Sequence, residues 1–137
     1  MNNKRLVILS TQFGSNFSGG SYATHEIFSR IQPHYNEIIV VSREMGQHNF
    51  NNIRFFKYKN LIHALIIVSK IKKNSTVFYG DYYNAILLAI LKLKFFFTYH
   101  DNWPELAYTS CITRFKSLFY IPVYKIIFKN AQGIITV

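Results

Sequence analysis

Short apolar runs and stretches of helical periodicity alternate along this chain. Arg5 to Ser10 is an apolar run rich in branched residues, the pattern of a strand buried on both faces. Thr11 to Gly19 is polar and predicts a loop. From Gly20 to Ile31 the apolar positions Ala23, Ile27, Phe28 and Ile31 recur at helical spacing, and Pro33 closes the segment. Glu37 to Ser42 and Ile53 to Tyr58 predict the second and third strands. Leu61 to Ile71 predicts a helix, Thr76 to Tyr79 a strand ending at Gly80-Asp81, Tyr82 to Leu91 a helix, and Lys94 to Tyr99 another strand. His100 to Thr109 reads as a loop with Pro104 in it. Thr113 to Asn130 predicts a helix kinked or split at Pro122, and Gly133 to Val137 opens a last strand.

No repeat or low-complexity linker interrupts this alternation, and 137 residues make one domain. The expected fold is α/β: a doubly wound, mainly parallel, Rossmann-like sheet. Ligands of such sheets lie beyond the carboxyl ends of the strands, where strand order reverses. That directs attention to the loops Thr11 to Gly20, Gly80 to Asn84, and His100 to Tyr108.

Half of the residues are hydrophobic, with 13 Phe and 10 Tyr, so the chain can build a core and has aromatic surface to spare. A net charge of +10 favours phosphorylated ligands or anionic lipid, or is merely a solvated surface. Cys111 is the only cysteine, which excludes an intrachain disulfide and a thiolate zinc site. The longest apolar stretches, Ile62 to Val68 and Ala85 to Leu91, are far too short to span a bilayer. A cytoplasmic protein is expected.

The first loop carries Gly14-Ser15-Asn16-Phe17-Ser18-Gly19-Gly20 into a helix. Free N–H groups at a helix start, beside glycines, suit an anionic ligand. The spacing matches neither a dinucleotide fingerprint nor a phosphate-binding P-loop. A plain turn with Ser18 or Ser21 near the cap is an equally good reading. The third loop, Tyr99-His100-Asp101-Asn102-Trp103-Pro104-Glu105, gathers an imidazole, carboxylates and a flat indole at a strand's carboxyl end. His100 can donate to or polarise a sugar oxygen. Asp101 can orient it, and Trp103 can stack on a sugar ring or pack in the core. Asp81 is expected to cap the following helix, with an acceptor contact as the lesser reading. No Gly-x-Ser-x-Gly elbow and no spaced histidine pair is present. His25, His34, His48 and His63 are expected at the surface or hydrogen-bonded. On the last helix Arg114, Lys125 and Lys129 fall within about 60° of one another. Phe115, Phe119, Val123 and Ile126 form an apolar stripe beside them. The stripe could lie on an anionic bilayer, but the needs of the core slightly favour burial.

Taken together, Gly19-Gly20 after the first strand, Tyr99-His100-Asp101 after a later one, and Asn130-Ala131-Gln132-Gly133-Ile134-Ile135-Thr136-Val137 resemble the amino-terminal, acceptor-side domain of GT-B-fold, family 4 glycosyltransferases. The resemblance spans the whole chain. It implies a retaining transfer of sugar from a nucleoside diphosphate sugar to a glycan or lipid acceptor, with no metal and no further cofactor. Gly19 and Gly20 would approach the donor, His100 would serve catalysis, and Asp101, Trp103 and Asp81 would line the cleft on the acceptor side. The family's Glu-x7-Glu motif belongs to a carboxyl-terminal donor domain and has no counterpart here. The 137 residues alone are therefore expected to be inactive, needing that donor domain or a partner subunit. Cell-envelope glycan synthesis at the inner face of the membrane would suit the charge. The competing expectations are a non-catalytic module docking on a separate partner domain, and a different Rossmann-like nucleotide-binding protein. No nucleic-acid-binding motif is present.

Overall fold

The computed structural model describes residues 4–74, 76–99 and 111–136, with the backbone alone for 111–114, 116 and 117. Six parallel strands form the central sheet: β1 (Arg5–Leu9), β3 (Glu37–Ser42), β5 (Ile53–Lys57), β6 (Thr76–Asp81), β7 (Phe95–Tyr99) and β8 (Gly133–Thr136). Their order is β5-β3-β1-β6-β7-β8, and every pairing is parallel. The chain builds outward from β1 to β3 and β5, then returns to place β6, β7 and β8 on the other side. Strand order therefore reverses between β1 and β6. This is the expected single Rossmann-like α/β domain.

Both faces of the central strands are covered, which is why these strands read as continuous apolar runs. On one face α1 (Gly19–Ile31) packs Phe28 on Leu6, Ile8, Ile38, Val40 and Tyr79. On the other, α2 (Leu61–Ile71), α3 (Ile86–Ile90) and α4 (Cys111–Asn130) pack on Val7, Leu9, Ile39, Val41, Phe95 and Phe97. Each such aliphatic side chain taken out of water stabilises the fold by about 1.5–3 kcal/mol.

Several elements depart from expectation for local reasons. The buried face of α1 is Gly20, Thr24, His25 and Phe28, rotated from the predicted stripe, because Thr24 bonds the Tyr79 hydroxyl at 3.0 Å. The predicted helix Tyr82 to Leu91 is a 3-10 turn (Tyr82–Ala85) followed by the short α3. Tyr82 enters it at φ 47°, a left-handed conformation that costs a non-glycine residue about 1–2 kcal/mol. Pro122 lies within α4 without interrupting it. Two strands of two residues, β2 (Gln12–Phe13) and β4 (Glu44–Met45), pair above the main sheet inside what reads as loop.

Candidate functional site

The crevice at the strand-order reversal is built by the segments that follow β1, β3, β6 and β7. After β1 the chain pairs through β2 with β4, and Ser15 and Asn16 are clipped to the opposite segment. Gly46 N–H donates to the Phe13 carbonyl at 2.8 Å, Ser15 N–H to the Gln47 carbonyl at 2.7 Å, and Gln47 N–H to Asn16 Oδ1 at 2.7 Å. The loop is thus a fixed ledge leading to α1. Gly19 is exposed at φ 60°, the left-handed region that favours glycine, and Gly20 is buried. Ser18 stands at the cap position without making a side-chain cap bond, so it leaves N–H groups of the first turn free of it.

Beneath the ledge lies a buried polar row. In register, Asp81 pairs with Thr98, and Leu9 pairs with Gly80, so Ser10 stands beside Asp81. Ser10, Asp81 and Thr98 are fully buried, and Ser10 Oγ and Asp81 Oδ2 have no hydrogen-bond partner among the described residues. Orphaned buried oxygens are costly and cluster where function or ordered water compensates them. The Asn84 side chain ties the row together. Its Nδ2 donates to Asp81 Oδ1 at 3.1 Å and to Thr11 Oγ1 at 2.9 Å, while its Oδ1 accepts from the Tyr58 hydroxyl at 3.2 Å.

Burial pushes the Asp81 carboxyl up to about 7, against the lowering influence of the Asn84 amide and the backbone N–H groups of Thr11 and Asp81. Tyr58 is pushed up to about 12, first by burial. Tyr79 and Tyr124 are raised too, chiefly by burial and further by the nearby Asp81 carboxylate. Arg43 sits at the rim, its guanidinium 5.6 Å from the Tyr58 ring centre.

Two depressions share Tyr124, and the first of them opens beside the turn after Asp81. One, of about 170 Å3, is walled by Tyr82, Tyr83, Tyr120 and Tyr124. The other, of about 480 Å3, runs between α4 and β8 and is lined by Tyr99, Tyr124, Lys125, Phe128, Ile134 and Thr136 among others. Apolar walls with a few hydroxyls are what a small-molecule site needs.

Gly19, Gly20 and Asp81 therefore stand around one carboxyl edge of the sheet. His100, Asp101 and Trp103 lie outside the described residues; β7, the strand before them, ends at that same edge with Tyr99. Asp81 does not cap the turn after β6. It precedes the turn, but it continues the β6 ladder, and its carboxylate accepts from the Asn84 side chain rather than from a backbone N–H of that turn. Nor is His25 at the surface or satisfied. It is buried between the rings of Phe13 and Phe50, with centroids at 5.6 and 5.4 Å, and neither ring nitrogen is hydrogen-bonded among the described residues. His48, in the segment after β4, and His63, in the first turn of α2, each accept a backbone N–H at Nδ1. Among the described residues no group of His, Cys, Asp and Glu could hold a metal ion.

Sequence reasoning missed Ser10, Tyr58, Asn84 and Thr98. Asn84 was accessible from its place three residues after Asp81. The others look like ordinary strand ends until the register aligns them. The chain matches no protein-family model, no curated protein and no solved structure.

Proposed function

We propose that this chain is the acceptor-side domain of a glycosyltransferase that takes sugar from a nucleoside diphosphate sugar to a glycan or lipid-linked acceptor. One observation carries the reading. The ledge after β1, the turn after β6 and the end of β7 open on one edge at the strand-order reversal, beside two depressions that share Tyr124. Ring faces and hydroxyls from Tyr82, Tyr83, Tyr120 and Tyr124 suit a sugar ring, with its apolar faces and its rim of hydroxyls. The free start of α1 at Gly19 and Gly20 suits the negative charge of a donor diphosphate or a lipid phosphate. His100 then acts at the transferred sugar, with Asp101 and Trp103 along the acceptor side. Asp81, with no exposed surface, shapes the crevice from beneath by holding Asn84 and the Tyr82 turn.

The test is nuclear magnetic resonance titration of the 15N-labelled chain with an oligosaccharide panel, UDP-glucose, GDP-mannose and ATP. Saccharides are expected to shift amides of residues 11–20, 82–85 and 120–124. The nucleotide sugars are expected to bind weakly and to undergo no turnover by this chain alone. Tight ATP binding without any saccharide binding would instead make this a nucleotide-binding protein of another kind, and the transferase reading would fall.

A further inference from the structure

The side of the sheet covered by α2, α3 and α4 has an unusual outer surface. On α4, Phe115, Leu118 and Phe119 are 67%, 68% and 67% exposed, and Ile126 is half exposed. These four fall within an arc of about 100°, at about 100° per residue. Lys129 lies inside that arc and Lys125 on its margin, both exposed. The opposite side of the helix supplies the core through Tyr124 and Ile127, with Tyr120 and Val123 packed against it. Core formation therefore does not account for the outward aromatics. Val123, expected in the same stripe, belongs to the core side.

The pattern repeats on the neighbouring helices. Ile62, Ile66 and Lys70 form an outward stripe on α2 at i, i+4 and i+8, and Ile62 is 71% exposed. Ile90 ends α3 in the open, followed by exposed Lys92 and Lys94. Lys59, Lys72 and Lys73 flank α2.

Charge is strongly one-sided. From Ile53 onward the only carboxylate among the described residues is Asp81, which is buried. Among the described residues the glutamates lie elsewhere, and each has a partner. Glu26 on α1 is 3.8 Å from Arg30, Glu37 bridges Arg5 and Arg54, and Glu44 accepts from Gln12. The lysines of the helical side are left to meet an external anion.

We propose that this helical side docks on an anionic lipid surface, with the α4 aromatics seated among the headgroups and the lysines against lipid phosphates. A protein partner fits less well, because interface cores are depleted of lysine, and here Lys129 sits inside the apolar arc with Lys125 on its margin. At a bilayer the same mixture is favourable: aromatic and aliphatic groups bury at the headgroup boundary while lysine stems snorkel. No helix among the described residues is long and apolar enough to cross a membrane, so the contact is peripheral. The inference stands on this surface alone, and saccharide binding can hold or fail independently of it.

Vesicle flotation tests it, with vesicles of equal parts phosphatidylglycerol and phosphatidylcholine compared with phosphatidylcholine alone. The chain is expected to float with the anionic vesicles only and to be released by salt. Lys125→Glu with Lys129→Glu is expected to weaken binding about 30-fold or more, since each lysine near such a surface is worth about 1 kcal/mol. Phe115→Ser with Phe119→Ser is expected to abolish flotation while leaving circular dichroism unchanged. Arg30→Glu, on the α1 side, is expected to have little effect. Absence of flotation at low salt overturns the proposal. So does equal flotation of the double-glutamate variant, or a stable self-association through this face without vesicle binding.

Discussion

Asp81 is the residue whose setting departs furthest from its chemistry in water. Burial holds its carboxyl at about 7 against an ordinary value of 3.8. The folded chain therefore binds a proton that the unfolded chain releases between those values. The stabilisation is fully present below 3.8, declines as pH rises, and is lost as pH passes through 7. Over that span the loss is on the order of 4 kcal/mol. Asp81→Asn keeps an acceptor for Asn84 Nδ2 and never ionises. At about pH 8 the variant is expected to be the more stable protein, with the difference shrinking toward about pH 5. Urea unfolding at both values checks this, and a variant less stable at the higher pH would show that the carboxylate is compensated. Nothing in the sequence announced this environment. Gly80-Asp81 looks like a strand end, because glycine and aspartate are poor strand formers. The ladder to Thr98 nevertheless runs through them, and that continuation buries the carboxylate.

At the scale of elements, legibility followed burial. β1, β3 and α2 lie where the apolar pattern puts them, and α2 begins at Leu61 because Asn60 Oδ1 accepts the His63 N–H at 2.9 Å. The ledge over the crevice was illegible, since β2 and β4 have two residues each and their order comes from pairing across 30 residues of chain. Gly46 is the pivot of that pairing. A Cβ there would lie 1.8 Å from Asn16 Oδ1, the atom that accepts the Gln47 N–H. Gly46→Ala must displace the Asn16 side chain and break its bond to the Gln47 N–H, loosening the clip. The expected cost is roughly 1–3 kcal/mol, the usual range for overpacking. Hydrogen exchange should show the Ser15 and Gln47 amides losing protection while β1 and β3 keep theirs. Uniform loss of protection would mean that the ledge and the sheet unfold as one unit.

Across the whole molecule, the two ends of the sheet respond oppositely to pH. The alternation of runs disclosed a doubly wound sheet, but not that, among the described residues, one face has a single long helix while the other has three helices. Nor could it show what closes the amino-terminal edge. There, Glu37 at the start of β3 bonds Arg5 Nε at 2.7 Å and Arg54 at 2.9 Å, and Arg5 also reaches the Ile71 carbonyl. Burial opposes ionisation of Glu37, yet the two guanidiniums prevail and hold its carboxyl below the ordinary 4.5. A lowered carboxylate stabilises the fold above its unfolded value, and this is lost as pH falls through the folded one. Asp81 at the other end works in the opposite sense, losing its contribution as pH rises through about 7. From these two carboxyls stability is therefore expected to peak near their ordinary values, at about pH 4, and to fall from there toward about pH 7. Glu37→Gln should lower stability at neutral pH by no more than about 1 kcal/mol for the pair with exposed Arg54, and by more for the part-buried pair with Arg5, and should soften only the acid limb. Asp81→Asn should remove only the decline between about pH 4 and pH 7. Thermal unfolding of wild type and both variants across pH reads the two limbs separately. If either substitution flattened both, the edges would be coupled through the strands rather than titrating independently.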